Sequence, residues 1–286
     1  MFVNFIGVGA QKCASSWVYD VLADHPQAAV PDIKELDFFS YRYERGMRWY
    51  EAQFGAAALR ARAVGEISPS YLHEAGVVER AKDYNPRLRV LVSLRDPVER
   101  ALSQHRHLAR LGLLPAEDLQ FEPALQTNPT YVEQGCYHRH LKRWIDAFGS
   151  ERVHVILMED IESSPIDVVR ALYAFLDIDT GHTPAALHQK SNPSYLVRSR
   201  VADRTVRIVR NTLTQAGLRR AWQRLGDTGL RHAYRKLNRQ QSHAVLPPPR
   251  PETLVALRQR FAPEVERLSV LINRDLSAWL PSTSRS

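Results

Sequence analysis

Phe2-Val3-Asn4-Phe5-Ile6-Gly7-Val8-Gly9-Ala10-Gln11-Lys12-Cys13-Ala14-Ser15-Ser16-Trp17-Val18-Tyr19-Asp20-Val21-Leu22 runs from the second residue of the chain. Its first part is a short apolar run with β-branched and aromatic residues, the pattern of a buried strand. Two glycines follow, then Lys12, then two hydroxyl residues, and beyond them Trp17, Val21 and Leu22 recur at helical spacing. A strand, a glycine-bearing turn and a helix N-terminus make an anion site, because the N–H groups of a helix's first turn point out of the helix. Ser15 and Ser16 add hydroxyl donors and Lys12 a point charge. The stretch reads as a cradle for a phosphate or phosphate-like group. An ordinary first strand, turn and helix of an α/β domain has the same outline and needs no ligand. A Walker A loop is excluded, since that motif needs a Gly-Lys-Ser/Thr run and no Gly-Lys pair is present.

Working outward, strands and helices alternate. Ala29-Val30-Pro31 is a short extended piece after the His25-Pro26 break. Ala63 to Tyr71 reads as a strand entering a turn, and Glu74 to Tyr84 as a helix. Leu88 to Leu94 is apolar nearly throughout, as a parallel strand covered on both faces is. Residues 111–130 read as a loop, and Tyr131 to Phe148 as one helix with Leu141, Trp144, Ile145 and Phe148 on one face. Val153 to Met158 is a further strand and Pro165 to Leu176 an amphipathic helix. This order predicts an α/β fold, a parallel central sheet flanked by helices. Lys190 to Gln241 is rich in arginine and poor in acids. It reads as a helical basic appendage or lid over 190–245, or as a solvated helix face. Pro247-Pro248-Pro249 is a stiff linker into a last helix, Thr253 to Leu271. The expected organisation is a single domain over 1–286, with its core in 1–185 and 250–280.

The 286 residues suit one large α/β domain with an appendage. No apolar run approaches membrane-spanning length. No secretory signal precedes the first strand, so the expected compartment is the cytoplasm. Two cysteines, Cys13 and Cys136, give neither a disulfide framework nor a zinc pattern. Cys13 lies where a helix N-terminus and Lys12 lower a thiol's pKa, although a small loop residue there needs no such role. A net charge of +8 favours anionic partners. The basic segment has few aromatics to stack on bases, so no nucleic acid is expected. Peripheral contact with an anionic membrane is compatible with it. The oligomeric state is not encoded in any readable pattern.

The strand at Leu88 to Leu94 ends in Arg95-Asp96-Pro97-Val98-Glu99-Arg100-Ala101-Leu102-Ser103. Pro97 suits the first turn of a helix. Arg95 stands at the strand's carboxyl end, where open parallel sheets bind ligands, and Ser103 lies two helical turns on. Both side chains would reach one phosphate. Arg95 equally suits a salt bridge at the helix start. Earlier, Lys34-Glu35-Leu36-Asp37-Phe38-Phe39 sets charged residues against two aromatics, a polar-apolar edge suited to a cleft.

Taken in order, Gly9-x-x-Lys12-x-x-Ser15-Ser16, Arg95…Ser103, Gly135-x-Tyr137…Trp144…Met158-Glu159-Asp160 and Arg274-Asp275-Leu276-Ser277-Ala278-Trp279 resemble the sulfotransferases that use 3′-phosphoadenylyl sulfate (PAPS). The likeness covers most of 1–180 and 250–280 and implies their P-loop-like, PAPS-binding fold. Glu35-Leu36-Asp37-Phe38-Phe39 is similar to the bacterial and heparan sulfate carbohydrate branch, where a glutamate before a Phe-Phe pair is the catalytic base. The resemblance implies that Glu35 is that base, with Lys12 and His107 as further catalytic residues. It implies that Gln11, Lys12, Cys13, Ala14, Ser15, Ser16 and Trp17 surround the 5′-phosphosulfate and that Arg95 and Ser103 hold the 3′-phosphate. Tyr137, Lys190 and Arg198 are the remaining implied cofactor contacts. Three departures stand out. Ile67 follows Glu66 where the glycan branch often has a lysine, Asp37 replaces a histidine or glutamine, and the late Lys-Gly-Arg loop is absent, with Gln189-Lys190-Ser191-Asn192…Arg198 in its place.

The implied reaction moves a sulfuryl group from PAPS to a hydroxyl or amine of a glycan, lipid or other small molecule, without a metal. Little covalent work falls to the protein, which positions reactants and stabilises charge as in phosphoryl transfer. A plain ion pair with Lys34 is the alternative for Glu35. Rival functions are a P-loop-type kinase or other nucleotide-dependent transferase, and a non-catalytic nucleotide- or anion-binding protein.

Overall fold

Five parallel strands form the sheet of this computed structural model, which describes residues 3–187, 195–197, 239–241 and 246–281. They are β1 (Phe5–Gly9), β2 (Ala28–Ala29), β3 (Ala63–Ile67), β4 (Arg89–Leu94) and β5 (Val153–Leu157), in the order β2-β3-β1-β4-β5. The helices are α1 (Ser15–Asp24), α2 (Phe38–Tyr41), α3 (Gly46–Glu51), α4 (Val77–Tyr84), α5 (Pro97–Leu111), α6 (Phe121–Thr127), α7 (Thr130–Glu133), α8 (Tyr137–Phe148), α9 (Met158–Ser163), α10 (Pro165–Leu176) and α11 (Pro251–Ile272).

All of β1 and β3 is buried, which is why their sequences are near-continuous apolar runs rather than alternating ones. On one face Phe5, Ile67, Leu91 and Ile156 pack against Trp17, Val18, Val21 and Leu22 of α1 and Val169, Leu172, Tyr173 and Leu176 of α10. Each such side chain contributes roughly 1.5–3 kcal/mol on full burial, so this layer fixes where α1 begins. The strands approach closely: a Cβ on Gly65 would lie 2.1 Å from Phe5 O. Strand order reverses at β1, which has β3 on one side and β4 on the other. The carboxyl end of β1 is therefore the topological switch point, where open α/β sheets bind ligands.

The long helix α11 buries Leu257, Phe261, Val265 and Leu268 and packs along α8. Arg258 pairs with the buried Asp96 (2.7 Å). Asp96 Oδ1 also accepts Val98 N–H (2.8 Å), so one carboxylate caps α5 and ties α11 to it. After α11, Trp279 Nε1 donates to Glu159 Oε1 (2.7 Å).

Two expectations are corrected. The segment 111–130 contains α6, besides a short 3₁₀ turn at Ala116–Leu119. The single helix expected from Tyr131 is broken into α7 and α8 at Gly135, where a Cβ would lie 2.7 Å from Phe261 Cε1. The approach of α11 demands a glycine at that place.

The chain divides into two compact units. The first, Met1–Gln104, Asn128–Asn192 and Arg250–Ser286, holds the sheet. The second, His105–Thr127 and Pro193–Pro249, contains the end of α5, α6 and an antiparallel pair, β6 (Tyr195–Val197) and β7 (Arg239–Gln241). No helix among the described residues is long and apolar enough to cross a membrane.

Candidate active site

The turn from β1 into α1 is shaped by its backbone. Gly9 adopts φ +143°, and a Cβ there would meet Pro69 O and Leu72 Cβ at 2.9 Å. Lys12 and Ala14 follow at φ 70° and 62°. Ala14 is the N-cap of α1, no side chain caps it, and the first bond back into the helix runs from Val18 N–H to Ala14 O (3.1 Å). The start of α1 thus presents its N–H groups and partial positive charge at the switch point. Cys13 turns inward, fully buried, with its sulfur 3.5 Å from Tyr137 Oη. Burial pushes the Cys13 thiol up, against the pull of the Tyr137 hydrogen bond and of Arg100 and Arg95. Of the two readings of Cys13, the small packing residue fits this burial and the activated thiolate does not.

The second loop, 34–37, arrives beside this turn. Lys34 Nζ donates to Ser15 Oγ (3.3 Å) and to Glu35 Oε1 (2.6 Å). The expected Lys34–Glu35 ion pair is present, and the same ammonium carries the carboxylate to the lip of the cradle. Glu35 is half exposed, at 50%, so the pair itself contributes little stability, about 0–1 kcal/mol. Glu35 and Asp37 also have left-handed backbones, at φ 65° and 51°. Asp37 Oδ1 accepts Ser70 Oγ–H (2.7 Å), and burial pushes its carboxyl up.

Left-handed non-glycine residues are costly, on the order of 1–3 kcal/mol each, unless the surroundings impose them. Among the described residues, Asp177 and Asn273 are two more, but they terminate α10 and α11, where this conformation is routine. The other four sit in the two loops joined through Lys34.

Arg95 lies just past β4, beside β1, and its backbone N–H faces the Cys13 sulfur. Its side chain makes the expected helix-start contact, Nη2 to Glu99 Oε2, but at 3.5 Å. Its Nε is buried without a hydrogen-bond partner. Ser103 is half-buried on α5. Arg100, which the sequence reading passed over, is fully buried; Nη1 donates to Gln104 Oε1 (2.7 Å) and Gln134 Oε1 (3.3 Å), and Nη2 to Tyr131 O. Its spacing after Arg95-Asp96-Pro97 was the available signal. It places a guanidinium among neutral acceptors behind the cradle, which raises the local potential for an anion.

The remaining candidates divide. Gln11 and Ser16 are part of the turn and helix start, half-buried, and Ser15 is buried. The Trp17 side chain packs in the core and donates to Leu187 O (3.4 Å). Tyr137 is likewise under the loop, not beside open space. His107 belongs to the second unit, where its Nδ1 accepts from Arg110 Nη2 (2.6 Å). Lys190 and Arg198 lie outside the described residues.

A family model described as a sulfotransferase domain matches residues 4–198. Among curated proteins, the chain is 25% identical over 204 residues to the bifunctional heparan sulfate N-deacetylase/N-sulfotransferase of Drosophila melanogaster, covering 61% of this chain and 20% of that protein. It is 25% identical over 182 residues to heparan sulfate glucosamine 3-O-sulfotransferase 5 of Homo sapiens, covering 60% and 52%. It thus spans from a fifth to about half the length of these relatives. Among solved structures, a sulfotransferase from Alicyclobacillus acidocaldarius matches with a TM-score of 0.70 and 28% identity over 98% of this chain and 99% of that one. The sulfotransferase domain of the curacin biosynthetic pathway matches with a TM-score of 0.51 at 16% identity, over 67% of this chain and 78% of that one, a likeness of fold alone.

Proposed function

The chain belongs to the sulfotransferase family, and from that premise we propose that it moves a sulfuryl group from PAPS to a hydroxyl or amine of a glycan acceptor. The observation that carries this reading is the run Ser15 Oγ, Lys34 Nζ, Glu35 Oε1, which sets a carboxylate beside an anion cradle. The residues fit the donor: a helix start without a side-chain cap suits one phosphate, and Arg95, with its buried Nε unpartnered, suits another. The glycan is supported by the heparan sulfate relatives and by the exposure of Glu35, which admits a bulky chain from outside. The unpaired thiols suit a reducing compartment, which supports a cytoplasmic location.

PAPS supplies the sulfuryl group, and its sulfur–oxygen bond to phosphate breaks as the acceptor atom bonds to sulfur. Lys12, Ser15, Ser16 and the start of α1 hold the 5′-phosphosulfate and stabilise the charge that grows on the departing phosphate. Arg95 and Ser103 hold the 3′-phosphate. Glu35 takes the acceptor's proton, on Oε2, while Lys34 keeps Oε1 fixed.

Calorimetric titration with 3′-phosphoadenosine 5′-phosphate, with ADP as control and no magnesium, tests the reading. The expected result is binding of the bisphosphate alone. Equal binding of ADP, or none of either, removes the donor assignment.

A further inference from the structure

Beneath the 34–39 loop lies a carboxylate that the mechanism above does not use. Glu66, in β3, is 1% exposed. Its Oε2 accepts Leu36 N–H (3.3 Å) and Ser68 Oγ–H (2.6 Å), and its Oε1 accepts Tyr71 Oη–H (2.6 Å). Ser68 Oγ in turn accepts Asp37 N–H (2.9 Å), and Tyr71 Oη accepts Phe39 N–H (3.1 Å). The amides of Leu36, Asp37 and Phe39 therefore end on one carboxylate, directly or through one hydroxyl. Glu35 N–H is held alongside, on Ile67 O (3.3 Å).

We propose that Glu66 is a positioning residue for sulfuryl transfer, the anchor that imposes the left-handed backbone at Glu35 and Asp37 and so aims the Glu35 carboxylate at the cradle. The proposal rests on the reading of Glu35 as the base. The two strained residues need an outside cause, and among the described residues the side-chain acceptors of this backbone's amides are Glu66 and the two hydroxyls it orients. Three donors converge on the carboxylate, an arrangement made for the ionised form. Burial opposes that form and pushes Glu66 up to about 7. The groups facing it are Asp37 from the loop, which also disfavours its charge, Ser68 and Tyr71, whose hydrogen bonds favour it, and Tyr50 from α3.

Hydrogen exchange on the ligand-free protein at pH 6 and pH 8 is the test, read over residues 34–41 in wild type, Glu66→Gln and Tyr71→Phe. Glutamine puts N–H donors where an acceptor is needed, and phenylalanine removes the hydroxyl that links Phe39 to Oε1. Exchange of this segment is expected to rise roughly ten- to hundredfold in Glu66→Gln while α1 and α10 stay protected. Turnover is read in parallel with PAPS and chemically desulfated heparin: kcat is expected to fall about tenfold or more, with KM for PAPS within about twofold of wild type. Unchanged exchange over 34–41 in both variants overturns the proposal, as does wild-type kcat in a folded Glu66→Gln. If thermal melting shows Glu66→Gln unfolded, Tyr71→Phe carries the same readouts. The exchange arm needs no acceptor and decides by itself. Failure of the underlying reading looks different: Glu35→Gln would then keep its turnover.

Discussion

The turn at 10–14 and the loop at 34–37 both hold non-glycine residues in left-handed conformations, but different forces hold them there. The turn is set by main chain and neutral packing: Ala10 N–H donates to Ser93 O (2.7 Å), and the buried Cys13 thiol rests on Tyr137. The loop hangs from a buried carboxylate, which burial pushes up to about 7. Loss of the Glu66 carboxylate should therefore open the loop and leave the turn as it is. The proposed site is thus flanked by a turn held by its main chain and a loop held by one side chain.

Glu35→Gln breaks the loop side most completely. Turnover is expected to fall about 10²–10⁴-fold with the bisphosphate still bound at wild-type affinity, as kinetics and calorimetry together would show. On the turn side, Arg95→Ala should weaken bisphosphate binding by about 1.5–3 kcal/mol, the worth of hydrogen bonds to a charged group, and do so equally at pH 6 and pH 8. A smaller effect separates the two sides by stability. Because the folded pKa of Glu66 is raised above the ordinary 4.5, the fold binds its proton more tightly than the unfolded chain does. Its contribution is then fully present below about pH 4.5 and declines as pH rises through about 7. Urea melts at pH 5 and pH 8 should show that decline in wild type and not in Glu66→Gln; parallel curves would dismiss the titration. The smallest change is Tyr137→Phe, which removes the partner of a weak thiol contact. About 0.5–1 kcal/mol of stability should be lost, with no change in the pH profile of turnover.

Much of the scaffold was legible because it rests on local pattern. Pro165 to Leu176 was bounded correctly by a helix-starting proline and an apolar face, and β4 to within one residue by its nearly all-apolar run. The strand, turn and helix start around Lys12 were legible for the same reason, with strand, glycines, lysine and serines contiguous. What escaped depends on partners distant in sequence. The break at Gly135 follows from Phe261, which arrives from α11. The inward turn of Trp17 is set by α1 packing on α10 and the sheet. Lys34 looked like a simple partner for its neighbour until Ser15 was placed beside it. Glu66 gave no local sign of its role, since its donors come from residues 36, 68 and 71 and reach it only when β3 lies under the loop.

The salt link from Arg258 to Asp96 has a consequence for biosynthesis. Asp96 caps the helix that follows Arg95, yet its cation and the Phe261 that fills the space at Gly135 are made only after residues 188–250 have been translated. At roughly 5–20 residues per second that is a wait of seconds, during which the nascent chain carries an unpaired acid and an open apolar groove along α8. Ribosome-bound chains stopped before α11 should be the form that recruits chaperones, and release of the finished helix the step that ends their need.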